Sequence, residues 1–84
     1  MTVTLFSLND CGQCIATEKW FSRKGIRYQK VMIDDDEKTQ EEFRAAGYRS
    51  MPVVRLEKAG QKVLEFAGFS DQRISELHSL IKAS

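Results

Sequence analysis

The chain has 84 residues, with thirteen Lys and Arg against twelve Asp and Glu, one His and a net charge of +1. This length predicts a single domain over residues 1–84 with a modest core, and a hydrophobic share of 42% excludes a disordered chain. No block of basic charge is present, which argues against nucleic acid or an anionic membrane as partner. No apolar run approaches a membrane span, and the N-terminus lacks the layout of a signal peptide. A cytoplasmic monomer is the expectation. In that compartment a cysteine pair is more often catalytic or metal-binding than structural.

In chain order, "TVTLFSL" (Thr2–Leu8) is short, apolar and β-branched, and reads as a strand. The residues from Gly12 to Lys24 are mostly good helix formers, with Gly25 placed for a left-handed cap. Cys14, Thr17 and Phe21 fall on one face of that helix, with Trp20 beside them, and are expected to point inward. "YQKVMID" (Tyr28–Asp34) is a second strand. The acidic run Asp34–Glu37 suits the positive end of a helix dipole, so a helix is expected from near Asp36 to about Ala46, stopped by Gly47. "PVVRLEK" (Pro52–Lys58) and "QKVLEFA" (Gln61–Ala67) flank Ala59-Gly60, a gap short enough for an antiparallel hairpin. Ser70 or Asp71 caps a last helix whose apolar face is Ile74, Leu77, His78 and Ile81.

The order β-α-β-α-β-β-α predicts an α/β fold. Its first two strands are parallel across a helix and its hairpin is antiparallel. The sheet is then four-stranded and mixed, with helices on both faces.

"NDCGQC" (Asn9–Cys14) holds both cysteines of the chain. Cys11 falls where strand gives way to helix, and free amide protons at a helix start stabilise an anion. The thiolate is the reactive form, so this place should lower the Cys11 pKa, to around 7 or below by analogy with other C-x-x-C pairs. Cys14 lies one turn further in and is shielded. The asymmetry assigns attack on a substrate disulfide to Cys11 and resolution of the mixed disulfide to Cys14. Asp10 stands either as a cap or as a like charge that raises the Cys11 pKa, and the sequence leaves both open.

Three other readings compete. Zinc takes four ligands, and the chain offers two cysteines and the distant His78, so a metal or iron–sulfur site needs a dimer. No metal ligand is assigned. A purely structural disulfide closes too small a loop to stabilise much. C-x-x-C opening a helix after a strand in a βαβ pattern favours redox work, with the pair itself carrying the electrons and no bound cofactor. Pro52, the one proline, either merely starts a strand or sits in a cis bond that aims the Met51 backbone at an extended substrate segment.

The C-x-x-C after the first strand, the Met-Pro-Val-Val segment (Met51–Val54) and a late Gly-Phe (Gly68-Phe69) resemble the glutaredoxin branch of the thioredoxin fold. More closely, "NDCGQC" followed by "IAT" is similar to the Asp-Cys-x-Gln-Cys-x-Ala-Thr pattern of the NrdH redoxins, and "AAGYRSMPVV" (Ala45–Val54) resembles their Gly-aromatic-x-x-x-Pro-Val-Val stretch. The resemblance implies a cis Pro52, a nucleophilic Cys11 and a resolving Cys14. It also implies electrons drawn from thioredoxin reductase and passed to class Ib ribonucleotide reductase. Met51, Pro52, Gly68 and Phe69 are the substrate-binding candidates. The late motif departs from the family's Trp-Ser-Gly-Phe-Arg-Pro-Asp. Here it reads Phe66-Ala67-Gly68-Phe69-Ser70-Asp71-Gln72, without the Arg and Asp that help tie this loop down. A glutaredoxin using glutathione or another small thiol is the competing reading, although one Gly and one acid make an incomplete glutathione cradle.

Among the remaining residues, Asp34–Asp36 read as a solvated helix start and Arg49 as a solvated charge. His78 reads as a boundary residue rather than a base. Trp20, Phe21 and Phe43 are expected in the core. Phe66 and Phe69 stand evenly between packing and an apolar docking patch.

Overall fold

The computed structural model describes residues 1–83. Seven elements follow one another: β1 (Thr2–Ser7), α1 (Gly12–Lys24), β2 (Gln29–Met32), α2 (Glu37–Ala45), β3 (Val53–Lys58), β4 (Gln61–Ala67) and α3 (Asp71–Lys82). The order is the expected one, with three strands shorter than the apolar runs that announce them. β1 stops at Ser7, β2 keeps only Gln29–Met32, and β3 starts after Pro52, which has no N–H to give a ladder.

The sheet order is β2-β1-β3-β4. β1 and β2 are parallel across α1, while β1–β3 and β3–β4 are antiparallel. This is the mixed sheet of a thioredoxin-like fold.

Alternation along the strands divides the interior into two cores. Val54 and Leu56 of β3 and Val3 and Leu5 of β1 meet Phe21 and Ile26 at the α1 end, and Ile74 and Leu77 of α3. Val53, one residue out of phase, meets Ile33 and Phe43 under α2. Thus α1 and α3 cover one face and α2 covers the other. The inward face of α1 is the one expected: Cys14, Thr17 and Phe21 are its buried residues. Trp20 departs from expectation. It is half-buried, with Arg23 and Lys24 over its ring, because it sits beside the inward stripe rather than on it.

The helix ends follow local chemistry. Gly25 closes α1 in the left-handed conformation, at φ 69°. Asp36 caps α2: its carboxylate accepts from the Thr39 amide at 3.0 Å and the Thr39 hydroxyl at 2.6 Å. Those hydrogen bonds hold the Asp36 carboxyl below its ordinary range. Ser70 caps α3, accepting from the Arg73 amide at 3.2 Å. Asp34–Asp36 are exposed ahead of α2, as expected of a solvated helix start, and Asp34 has a further contact. It takes the Asn9 amide at 3.0 Å, fastening the segment before the cysteines to the end of β2. No helix among the described residues is long and apolar enough to cross a membrane.

Candidate functional site

Cys11 is itself the N-cap of α1. Its backbone is extended (φ −107°, ψ 104°), its carbonyl starts the helical ladder to Ile15, and its sulfur accepts the Cys14 amide at 3.1 Å. This corrects one of the two roles open to Asp10. Asp10 does not cap the helix; it precedes the cap in a left-handed conformation (φ 55°), exposed to solvent. Aspartate tolerates that conformation better than most residues, and it turns the chain out of β1 and into α1.

Cys11 and Cys14 form a disulfide, with Cα atoms 5.2 Å apart. Their environments differ. Cys14 is 1% exposed and buried on the sheet side of α1, whereas Cys11 is partly open. The first turn of α1 carries no acidic residue. The backbone amide on the Cys11 sulfur therefore favours a negative charge there, with no carboxylate in that turn to oppose it.

Two further segments close on this helix start. The Met51–Pro52 bond is cis. The Pro52 carbonyl accepts the Gly68 amide at 2.8 Å, which binds the head of β3 to the β4–α3 loop. The next amide, that of Phe69, donates to Gln13 Oε1 at 2.9 Å, which binds the same loop to α1 between the two cysteines. Gly68 is buried, at φ 81°. A Cβ there would stand 3.1 Å from Ser50 Cβ and 3.2 Å from Gln13 Oε1. A side chain would meet both strain and contact at this point, so glycine suits it. The six candidates Cys11, Cys14, Met51, Pro52, Gly68 and Phe69 are thus drawn from three segments that touch.

Phe66 and Phe69, ambiguous in the sequence, separate cleanly. Phe66 is core, with the Arg73 guanidinium 5.5 Å from its ring centre. Phe69 is 37% exposed, its ring 6.4 Å from that of Trp20. Ile15, one turn beyond Cys11, is 53% exposed. On the α2 side, a hollow of about 150 Å³ adjoins Met51, floored by Leu8, Ile33, Phe43 and Tyr48 and bordered by the exposed Arg49.

The sequence reading missed two features. Gln13 was visible only as part of a pattern, because its partner lies 56 residues away. The second is a polar cluster across the hairpin. Glu65, its side chain 6% exposed, accepts from Arg55 Nε at 2.6 Å and the Tyr48 hydroxyl at 2.8 Å, with Lys62 Nζ at 3.4 Å. Burial alone would push the Glu65 carboxyl up; the bonds from Arg55 and Tyr48 outweigh it and hold it below the ordinary carboxylate range. Tyr48 is pushed up by burial and by its bond to Glu65. A signal was present in the strand register, since Arg55 and Glu65 are opposite-charge residues directly across the hairpin. His78 is half-buried on α3, as expected of a boundary residue. Among the described residues, no group of three or more His, Cys, Asp or Glu side chains is placed to hold a metal ion.

Known proteins match this arrangement. Residues 3–59 match the Glutaredoxin family. The chain is 35% identical over 78 residues to the glutaredoxin-like protein NrdH of Escherichia coli strain K12, covering 93% of this chain and 90% of that one. It is 29% identical over 75 residues to the glutaredoxin-like protein NrdH of Lactococcus lactis subsp. cremoris, covering 89% and 97%. In structure it is similar to the NrdH-redoxin of Escherichia coli, a glutaredoxin-like protein described as having a thioredoxin-like activity profile. The TM-score is 0.77 at 32% identity, over 93% of this chain and 96% of that one. A glutaredoxin from Archaeoglobus fulgidus shares the fold at 22% identity, with a TM-score of 0.64 over 89% and 83% of the two chains. The cysteine pair at the start of the first helix and this sequence likeness together make the chain a glutaredoxin-like redox protein of the NrdH family.

Proposed function

We propose that this protein is a dithiol electron carrier that reduces disulfides on other proteins, with class Ib ribonucleotide reductase as the acceptor and thioredoxin reductase as the donor. The observation that carries the reading is the asymmetry of the pair: Cys11 caps the helix with an amide on its sulfur, and Cys14 is buried one turn behind it.

The Cys11 thiolate attacks one sulfur of the substrate disulfide. A mixed disulfide forms and one substrate thiolate leaves. Cys14 then loses its proton and attacks Cys11 Sγ. The mixed disulfide breaks, the second substrate thiolate leaves, and the Cys11–Cys14 disulfide remains. Two electrons pass to the substrate, whose two thiolates take up the two protons given by the dithiol. Thioredoxin reductase reverses the change on the carrier, drawing on NADPH. The substrate segment lies extended along Met51, as in strand addition, with Gly68 and Phe69 on its other side. The pair itself carries the electrons, without a bound cofactor, in a single-domain cytoplasmic monomer.

Two coupled assays test this. NADPH oxidation should proceed with thioredoxin reductase, this protein and insulin, and should stop with Cys11→Ser. Turnover confined to glutathione and glutathione reductase overturns the donor assignment. A Cys11→Ser protein that works at the parental rate overturns the whole reading.

A further inference from the structure

The β4–α3 loop is tied down by two successive amides that point to different partners. Gly68 N–H reaches the Pro52 carbonyl and Phe69 N–H reaches Gln13 Oε1. The Gln13 end is itself fixed, because its backbone carbonyl accepts the hydroxyl of buried Thr17 at 2.8 Å. Ser70, the next residue of the loop, is already engaged as the cap of α3. So the backbone of Phe69 is held to the cysteine-bearing turn while its ring stays 37% exposed. Such a combination presents an apolar surface at a defined place against the helix that carries the cysteines, its ring 6.4 Å from that of Trp20.

We infer that Gln13 is a positioning residue for partner recognition: its side-chain carbonyl clamps the Phe69 amide to the first turn of α1 and so sets where the Phe69 ring stands relative to Cys11. Gln13 acts through Phe69 and touches no reacting atom. The chemistry explains why an amide suits this position. A neutral acceptor holds the loop, whereas a carboxylate would hold it equally but place a like charge between two thiols that must ionise. A lysine would supply no acceptor at all. The inference rests on the proposed function, since it takes Phe69 to be a surface that a protein disulfide meets.

The test uses the reduced full-length protein in single-turnover reduction of insulin and, separately, of hydroxyethyl disulfide, which is too small to engage the loop. Gln13→Met keeps the side chain's length and removes the acceptor. It should raise the half-saturating insulin concentration about three- to tenfold, the worth of one neutral hydrogen bond, and slow the small disulfide much less. In a Phe69→Ala background the same change should have almost no further effect, because residues acting through one contact are not additive. Gln13→Glu should restore insulin recognition while moving the pH profile of Cys11 alkylation upward. Independent, multiplying effects of Gln13→Met and Phe69→Ala overturn the inference, as does equal slowing of both disulfides. A parental protein inert toward insulin overturns the proposed function as well, whereas a failure confined to the double variant overturns only the clamp.

Discussion

The two faces of the sheet are built by different physics. Under α1 and α3 lies one continuous apolar core, in which Leu5, Phe21, Val54, Leu56, Ile74 and Leu77 are fully buried. Under α2 the buried apolar cluster is smaller, Ile33, Phe43 and Val53, and directional bonds take over. Gln40 Nε2 donates to the Ile33 carbonyl at 2.6 Å, and Glu65 gathers Arg55 and Tyr48. Arg55 completes this side by lying 5.0 Å from the centre of the Phe6 ring. The contrast tracks function. The helix that carries the cysteines rests on close-packed side chains, which hold a reactive group in one place. The opposite face leaves a hollow beside Met51, where the proposed substrate segment approaches.

The largest expected effect sharpens this contrast. Phe21→Ala should cost about 3–5 kcal/mol, because its site is enclosed on all sides. Phe43→Ala should cost clearly less, because it borders an open hollow into which water and neighbours can move. Urea unfolding of both variants decides it, and equal losses would erase the distinction between the faces.

Next comes Glu65→Gln, with an expected loss of about 2 kcal/mol from weakened charge-assisted bonds to a buried carboxylate. The pH dependence follows from the direction of the shift. A carboxyl held low in the folded state contributes stability that is present above its unfolded value of about 4.3 and fades as pH falls through the folded value. The parental protein should therefore weaken in acid more steeply than Glu65→Gln. Parallel acid curves would remove Glu65 as the organiser of the α2 face.

Gly68→Ala is expected to cost about 1–2 kcal/mol from the left-handed backbone alone. Tight contact with Ser50 adds to that. Because the loop must shift, insulin reduction should fall further than stability does. Ser50→Gly in the same chain should recover part of the loss; no recovery would mean that Ser50 is not the obstacle.

The smallest effect lies on the edge of the apolar face. Tyr28 donates to Glu18 at 2.8 Å. Burial first, and then this bond, push the Tyr28 hydroxyl up to about 12. Stability from this shift is present below the unfolded value of about 10 and is lost as pH rises through 12. Tyr28→Phe should lose no more than about 1 kcal/mol near neutrality and should lack that alkaline decline. Thermal melts from neutral to alkaline pH measure both.

The elements were legible because their signals are local. Gly25 and Gly47 mark where helices stop, and Ser70 and Asp36 offer side-chain oxygens to free amides. The stripe Cys14–Thr17–Phe21 repeats at the helical period and is buried as a unit. Strand ends were less legible. Tyr28 and Ile33 have strand-like side chains, but pairing with β1 stops at Gln29 and Met32, and only a partner strand sets that limit. Trp20, expected in the core but half-buried, and Phe69, ambiguous, share one reason: whether a large ring is covered depends on what stands opposite it.

The sequence by itself determined the helix start that holds Cys11, the burial of Cys14 behind it and the alternation of strands and helices, since each follows from residues within a turn or two. Only the tertiary structure decided which distant segments close around the sulfurs. The Gln13–Phe69 and Gly68–Pro52 bonds join residues from separate elements of the chain. Such contacts depend on the sheet order and register, which belong to the packed molecule as a whole rather than to any window of sequence.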